Sequence, residues 1–457
     1  MIQRTVKQVA EMITVLNDYE AFENLLIQGV CTDSREIKKG NLFIPFIGEN
    51  IDRHQFVEDV IERGAAASLW QKNVPNPPTH LPILIVEDIL VAVQELAKSY
   101  RDQLNVKVIG VTGSNGKTTT KDMVANLLSL QYKVQKTEGN FNNHIGLPLT
   151  ILRLEESTEM AVLEMGMSGL GEIDFLSKLA KPDAVIITNI GEAHLLDLGS
   201  REGITEAKLE IINGLKDPGY IVYYGDEPLL RHKLDTYQNG DFIHTFGRSI
   251  RNTIYPTEII SGDSGSYFKV NTSDEKFYLP VLGTHNIMNA LAAMLIATHF
   301  DIPFSKLNEG FKNLKLTSMR MELVEGKNGE KIINDAYNAS PTSMNAAIEL
   351  ITYLPGYEQK ILVLGDMLEL GPKEDEFHYN MGQTLNPDKI DFVFTYGKLA
   401  KQIAMGASES FHKDRIFSFL DKNALIQELK KRTNNQTLVL VKASRGMELE
   451  EVVAGLQ

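Results

Sequence analysis

The sequence predicts an α/β protein of three domains, and three observations carry that prediction. From about residue 103 onward, apolar runs of strand length alternate with helical patterns, the rhythm of parallel βαβ units. One such run, 106–109, enters a glycine-rich turn that is followed by a helical pattern over 121–130. The chain has 457 residues, more than a single hydrophobic core ordinarily serves. Hydrophobic content of 43% and charged content of 23% are those of a soluble globular protein.

The first region, 1–102, has short apolar runs at 41–47, 65–70 and 81–86, a proline-rich loop at 73–78, and a helical pattern at 90–100. The second, 103–314, continues with strand-like runs at 160–163, 184–188 and 220–224. Its part from 242 to 281 changes to short alternating runs with turn clusters, which predicts a small antiparallel appendage, and an Ala-, Leu- and Met-rich helix follows at 286–298. In the third, 315–457, strands are predicted at 331–334, 360–364, 392–396 and 437–441, with helices at 341–350 and 423–431. That is a second doubly wound, Rossmann-like sheet without a phosphate loop.

A formal net charge of −14 argues against a partner that needs a basic footprint, so neither nucleic acid nor an anionic membrane is expected. No run approaches the ~20 apolar residues of a membrane span, and the first residues lack the apolar core of a signal peptide. The single Cys31 excludes an intrachain disulfide framework and fits a reducing, cytoplasmic setting.

The most informative stretch is Gly110-Val111-Thr112-Gly113-Ser114-Asn115-Gly116-Lys117-Thr118-Thr119-Thr120. Glycines let backbone N–H groups close on phosphate oxygens, and the following helix adds the positive end of its dipole. Lys117 can reach terminal phosphates, and the Thr118 hydroxyl can ligate Mg²⁺. The spacing is unusual: the general pattern G-x-x-x-x-G-K-[ST] wants glycine where Val111 stands.

Ligands of open α/β sheets lie beyond the carboxyl ends of the strands. Glu164 stands there after 160–163, as a Mg²⁺ ligand should, and Asn189 and His194 follow 184–188. Each alone is an ordinary loop residue; several converging on one phosphate loop point to a site. Lys208 lies four residues after Ile204 and three and four before Ile211 and Ile212, hence on the apolar stripe of its helix. Two readings are open: a snorkelling lysine, or a desolvated amine of lowered pKa that takes up CO₂ as a carbamate and offers an anionic oxygen to a metal. Thr284 or His285 would cap the helix that carries Asn286 and Asn289. In the third region Arg320, Asp335-Ala336-Tyr337-Asn338, Asp366 and Ser444-Arg445 gather on strand-end turns.

Together these residues resemble the Mur ligase superfamily. The resemblance rests on Thr112–Thr118 as that superfamily's form of the phosphate loop, on Thr32-Asp33-Ser34-Arg35, on Glu138-Gly139-Asn140-Phe141-Asn142-Asn143-His144-Ile145-Gly146-Leu147-Pro148-Leu149-Thr150, on Glu164-Met165-Gly166, on Asp335-Ala336-Tyr337-Asn338-Ala339-Ser340-Pro341 and on Gly365-Asp366-Met367-Leu368-Glu369-Leu370-Gly371. Ser340 and Ala443 depart from it, where Asn and often Gly stand. It implies a UDP-sugar domain at 1–102, an ATPase domain at 103–314 and a Rossmann-like domain at 315–457 that meets D-alanyl-D-alanine and nucleotide. It also implies an ATP-dependent ligase that joins D-alanyl-D-alanine to UDP-N-acetylmuramoyl-tripeptide through an acyl phosphate, releasing ADP and phosphate in peptidoglycan precursor synthesis.

By the same resemblance Gly113, Ser114, Asn115, Gly116, Lys117, Thr118 and Thr119 hold the ATP phosphates. Asn286, Asn289, Arg320, Asp335, Tyr337 and Asn338 complete the nucleotide site. Ser34 and Arg35 face the UDP, and Asn140, Asn142 and Asn143 the muramoyl-peptide. Asp366, Ser444 and Arg445 contact substrate. Two Mg²⁺ are expected, one on Thr118 and Glu164, the other on His194 and carbamylated Lys208, and Lys117, Glu164, His194 and Lys208 form the catalytic set. The implied enzyme is a bacterial, cytoplasmic monomer that serves cell-wall biogenesis, cell shape and division. Two alternatives stand beside it: a folylpolyglutamate synthase-like ligase, which would lack the N-terminal domain, and a phosphate-loop ATP switch without ligase chemistry, which would need no buried Lys208.

Overall fold

The computed structural model describes residues 1–237 and 242–457. Five sheets organise the described residues. Near the N-terminus Gln3–Thr5 pairs antiparallel with Leu26–Gln28. A four-stranded parallel sheet follows in the order Val30–Cys31, Leu42–Phe43, Ala67–Gln71, Ile83–Val86. Asp88 then caps the helix Ile89–Gln103, accepting from Val91 N. Its buried residues, Ile89, Ala92, Val93, Leu96, Ala97 and Tyr100, repeat at helical spacing and form one apolar face.

That face has an unexpected partner. The N-terminal residues Ile2, Leu69 and Leu96 belong to the same hydrophobic core as Leu147, Leu163 and Ile187 of the central region. Arg101, almost wholly buried, bonds the carbonyl of Ala180 at 2.7 Å, and Ile2 N bonds Leu152 O at 2.8 Å. The first two regions are therefore packed as one body, while the C-terminal sheet has its own cores on either face.

The central sheet has six parallel strands in the order Phe242–Phe246, Tyr220–Tyr224, Ala184–Ile187, Lys107–Thr112, Met160–Glu164, Val134–Lys136. Lys107–Thr112 lies in its interior, so the loop that follows opens at the crevice where crossovers diverge to either side. The helix Thr284–His299, buried on nearly all sides, packs on the helix Lys117–Leu128. The antiparallel appendage begins later than the sequence suggests. Phe242–Phe246 extends the parallel sheet, and the appendage comprises Pro256–Ser261, Ser266–Val270 and Ser273–Leu279. Alternation marks a strand but not its direction, which Tyr220–Tyr224 decides here by pairing.

The C-terminal sheet also has six strands, ordered Glu322–Glu325, Lys331–Asn334, Thr437–Lys442, Gln359–Gly365, Phe392–Tyr396, Ile416–Phe419. Only the first runs antiparallel, at the edge. The linker to this domain is tied to the central one by a buried carboxylate: Asp122 accepts from Thr317 N (2.8 Å) and Oγ1 (2.9 Å) and from Lys136 Nζ (2.6 Å). Met319 and Met321, on either side of Arg320, both have left-handed backbones (φ 59° and 52°), a strained pair that turns the chain sharply into the new domain. Among the described residues no helix is long and apolar enough to cross a membrane.

Candidate active site

A cleft of about 520 Å³ opens between the carboxyl ends of the central strands and the C-terminal domain. Its floor is the phosphate loop. The strand runs as far as Thr112, so Gly110 is a strand residue, and a Cβ there would sit 3.2 Å from Met165 Cε. Only residues 113–116 form the turn, which accounts for Val111: the loop is short, and its glycine needs fall at Gly113 and Gly116. Gly113 (φ 145°) could not carry a side chain, since a Cβ would stand 1.8 Å from Thr188 Oγ1. Gly116 (φ 79°) starts the helix at Lys117, and a Cβ there would lie 2.6 Å from Asn289 Oδ1.

Asn189 braces this loop. Its Oδ1 accepts from Asn115 N (2.9 Å), its carbonyl from Ser114 N (3.0 Å), and its Nδ2 donates to Asn115 O (3.1 Å). Lys117 Nζ turns back onto the Gly113 carbonyl at 2.7 Å. Burial pushes its ammonium below the ordinary lysine range; Glu164 opposes this and Arg320 adds to it.

Glu164 is 2% exposed. Its Oε1 accepts from Asn142 Nδ2 (2.9 Å) and its backbone N donates to Thr137 Oγ1 (3.0 Å). Its Oε2 is buried without a hydrogen-bond partner, 4.0 Å from the ammonium of Lys121. An orphaned carboxylate oxygen beside a phosphate loop fits a cation. Among the described residues no cluster of three acidic, His or Cys side chains could enclose a metal by itself. That suits Mg²⁺, which takes one or two protein ligands and completes its shell with water and phosphate. Thr118, which also lines the cleft, is the second such ligand at hand.

His194 lines the same wall, with a left-handed backbone at φ 65°. Lys208 is 1% exposed and lies behind the lining rather than in it. The α-helix Arg201–Leu209 ends just after it and a 3₁₀ turn, Glu210–Gly214, continues. Burial, with Lys117 as a second cause, holds its pKa well below that of a free lysine, and among the described residues no carboxylate offsets this.

Across the cleft, Asn286 donates to Leu282 O (2.7 Å) and Asn289 to Asn286 Oδ1 (3.0 Å). Neither Thr284 nor His285 caps the helix as expected: Gly283 holds the N-cap position without a side-chain bond, and Thr284 Oγ1 accepts from Arg248 (2.9 Å). The His285 ring is pushed down to about 4 by burial among protein atoms, although one side opens on the cleft. The C-terminal domain contributes Arg320, whose guanidinium lies 4.1 Å over the Tyr337 ring with its Nε buried and unpartnered. Asp335 pairs with Lys442, the last residue of the strand Thr437–Lys442, a partnership no local pattern predicts, and also accepts from Met321 N at 3.1 Å. Ser340 caps the helix Pro341–Tyr353 and reaches Asn115 Oδ1 at 3.3 Å, so serine suits the place where the family pattern has Asn.

The cleft thus brings together Ser114 to Thr119, Asn142, Asn143, Glu164, His194, Asn286, Asn289, Arg320, Asp335, Tyr337 and Asn338. Gly113 lies just beneath. Asn143, just before the helix Gly146–Arg153, is held by it, its Oδ1 accepting from Gly146 N at 2.8 Å. Asn140 is exposed outside the cleft, and Ser34 and Arg35 lie on the N-terminal domain, where Arg35 pairs with Asp33 at 2.5 Å. Three further residues expected at substrate also lie outside the lining and have structural partners. Asp366 accepts from Ala400 N (2.7 Å) and Lys398 N (3.1 Å), Ser444 Oγ from Leu368 N (2.9 Å), and Arg445 pairs with Glu450.

Two domain families match the chain: the Mur ligase middle domain at residues 111–297 and the Mur ligase glutamate ligase domain at residues 319–445. The UDP-N-acetylmuramoyl-tripeptide–D-alanyl-D-alanine ligase of Bacillus subtilis is 52% identical over 456 residues, 100% of this chain and 99% of that protein. The crystal structure of MurF from Acinetobacter baumannii superposes with a TM-score of 0.87 at 28% identity, covering 100% of this chain and 99% of the other. That of MurF ligase from Thermotoga maritima in complex with ADP superposes at 0.81 with 30% identity, covering 94% and 97%.

Proposed function

This chain belongs to the Mur ligase family, and from that premise we propose that it joins D-alanyl-D-alanine to UDP-N-acetylmuramoyl-tripeptide with cleavage of ATP to ADP and phosphate. The observation that carries the proposal is the full-length match to the Bacillus subtilis ligase. The ADP complex of the Thermotoga maritima relative supports nucleotide binding in the same cleft. Of the two alternatives, the folylpolyglutamate-type ligase fails on the first hundred residues, which share a core with the ATPase domain. A switch without ligase chemistry leaves the buried, unpaired Lys208 without a purpose.

The residues accept the chemistry as follows. A carboxylate is a poor electrophile and must be activated. The terminal carboxylate of the tripeptide attacks the γ-phosphorus of ATP, the bond to ADP breaks, and an acyl phosphate forms. The amine of D-alanyl-D-alanine then attacks the acyl carbon, the tetrahedral intermediate collapses, phosphate leaves, and the amine gives up its proton. Lys117 would exchange the Gly113 carbonyl for the transferring phosphate and spread its charge, along with the N–H groups of residues 116–119, those of Ser114 and Asn115 being taken by Asn189. Glu164 and Thr118 would hold one Mg²⁺, and His194 with a carbamate on Lys208 a second; bound there, the ions would neutralise phosphate charge. Asn286 and Asn289 would face adenine, Asp335 the ribose and Arg320 the phosphates, with Tyr337 and Asn338 beside them. Ser34 and Arg35 would receive UDP; Asn140, Asn142 and Asn143 would lie towards the muramoyl-peptide. Asp366, Ser444 and Arg445 would support the D-alanyl-D-alanine side through the loops they hold. A bacterial cytoplasmic monomer, with the domains divided at about 102 and 314, completes the reading.

Phosphate release from ATP tests it. Release is expected only when both UDP-N-acetylmuramoyl-tripeptide and D-alanyl-D-alanine are present, and release indifferent to both would overturn the ligase assignment.

A further inference from the structure

The most unusual contact between the domains joins two strained residues. His194, on the central domain, and Glu369, on the C-terminal one, both have φ of 65°, a left-handed conformation that is unfavourable for a residue other than glycine. They meet twice. Glu369 O accepts from Leu196 N at 3.2 Å, and Glu369 Oε2 lies 2.9 Å from His194 Nδ1. The carboxylate stands off the line along which the ring N–H would donate, and Nδ1 is buried with no other partner. Gly371, two residues on, has Leu196 against it, with Cα 3.5 Å from where its Cβ would be.

The loop that carries Glu369 is built to hold that position. Met367 N donates to His378 Nε2 (2.8 Å) and Leu368 N to Ser444 Oγ (2.9 Å), while Ser444 N donates to Asp366 O (3.1 Å). Asp366 and Ser444 thus support a loop whose exposed product is Glu369, half exposed and aimed across the gap.

We propose that Glu369 is a positioning residue acting on His194 from the other domain: its carboxylate, 2.9 Å from Nδ1, favours the tautomer with the proton on Nδ1 by charge and leaves Nε2 as the nitrogen free to face a divalent cation in the cleft. A histidine ligand commonly gives its second nitrogen to a carboxylate, which sets the tautomer and raises the basicity of the first. Here the carboxylate arrives on another domain, so the histidine is complete only when the C-terminal domain lies against the central one. The inference rests on the reading of His194 as a metal ligand.

The test is Mn²⁺ binding in the presence of AMP-PNP, followed by the electron paramagnetic resonance of free Mn²⁺, on the full-length wild type, H194A, E369A, E369Q and the H194A/E369A double variant. E369A is expected to weaken Mn²⁺ binding about tenfold, E369Q, which keeps an acceptor oxygen, to recover most of that loss, and the double variant to bind as H194A does. Unchanged binding in E369A, with H194A impaired, would overturn this proposal alone. An E369A effect of equal size in the H194A background would also overturn it, since the residue would then act as a latch independent of the histidine. Unchanged binding in H194A would remove the metal-ligand reading and this proposal together.

Discussion

The two six-stranded sheets are near twins in outline and opposites in chemistry. At the central strand ends, polar groups are left wanting: among the described residues Glu164 Oε2 has no hydrogen bond and Lys208 no counter-ion, and Lys117 rests on a backbone carbonyl. At the C-terminal strand ends, most of the same residue types have partners, Arg320 Nε and Glu450 Oε2 being the exceptions. Asp335 pairs with Lys442, Arg445 with Glu450, and Asp366 binds two backbone N–H groups. Buried polar groups without partners cost stability, so a fold keeps them where a ligand completes them. The difference separates a surface built to receive phosphate and metal from one built to hold loops in place.

Variants can break that contrast. The largest effect is expected from Lys208→Ala, with kcat down by roughly 10³-fold or more. Urea stability should be unchanged or improved, because removing an unpaired buried amine relieves desolvation. Partial rescue by short carboxylic acids would support an anionic role for the lysine; full activity would place Lys208 with the structural residues instead. Glu164→Gln should come next, lowering kcat roughly 10²-fold and raising the Mg²⁺ concentration needed for half-maximal rate, with little change in unfolding.

The C-terminal rim should respond the other way round. Asp366→Ala unpairs the buried N–H of Ala400 and the part-buried N–H of Lys398 and should cost about 1–3 kcal/mol in chemical denaturation. The folded fraction should keep most of its nucleotide affinity, measured by ADP titration. Intact stability with lost activity would move Asp366 to the substrate. The smallest effect concerns pH. The His285 ring binds its proton more weakly folded (about 4) than free (6.5), so the stability tied to its neutral form is complete above pH 6.5 and is lost as pH falls towards 4. Cleft water trims the loss to about 1–2 kcal/mol, and His285→Asn should flatten the pH dependence of the urea midpoint over that range.

How far the site was legible follows the distance over which each signal acts. The phosphate loop, Glu164 and the buried face of Lys208 announce themselves within a dozen residues, through glycine spacing, strand ends and helical periodicity. Asn189 as a brace, Lys442 as the partner of Asp335, and Glu369 as the neighbour of His194 depend on contacts between residues far apart in the chain. No local pattern encodes those. The short strands Val134–Lys136 and Glu322–Glu325 escaped for another reason: each is an edge strand with few apolar residues to mark it. Phe242–Phe246 falls within the stretch whose alternation predicts the antiparallel appendage, yet it pairs parallel with Tyr220–Tyr224, because periodicity says nothing of pairing.

The core shared by the first two regions has a consequence for how the molecule comes apart. Ile2, Leu96 and Leu163 lose their burial together, whereas Leu362 and Leu440 belong to a separate cluster on the far side of the Asp122–Thr317 tie. Denaturation should proceed in two cooperative steps rather than three. A fragment cut near residue 102 would bare one whole face of the helix Ile89–Gln103 and should aggregate, while one beginning near residue 315 carries both faces of its sheet already covered.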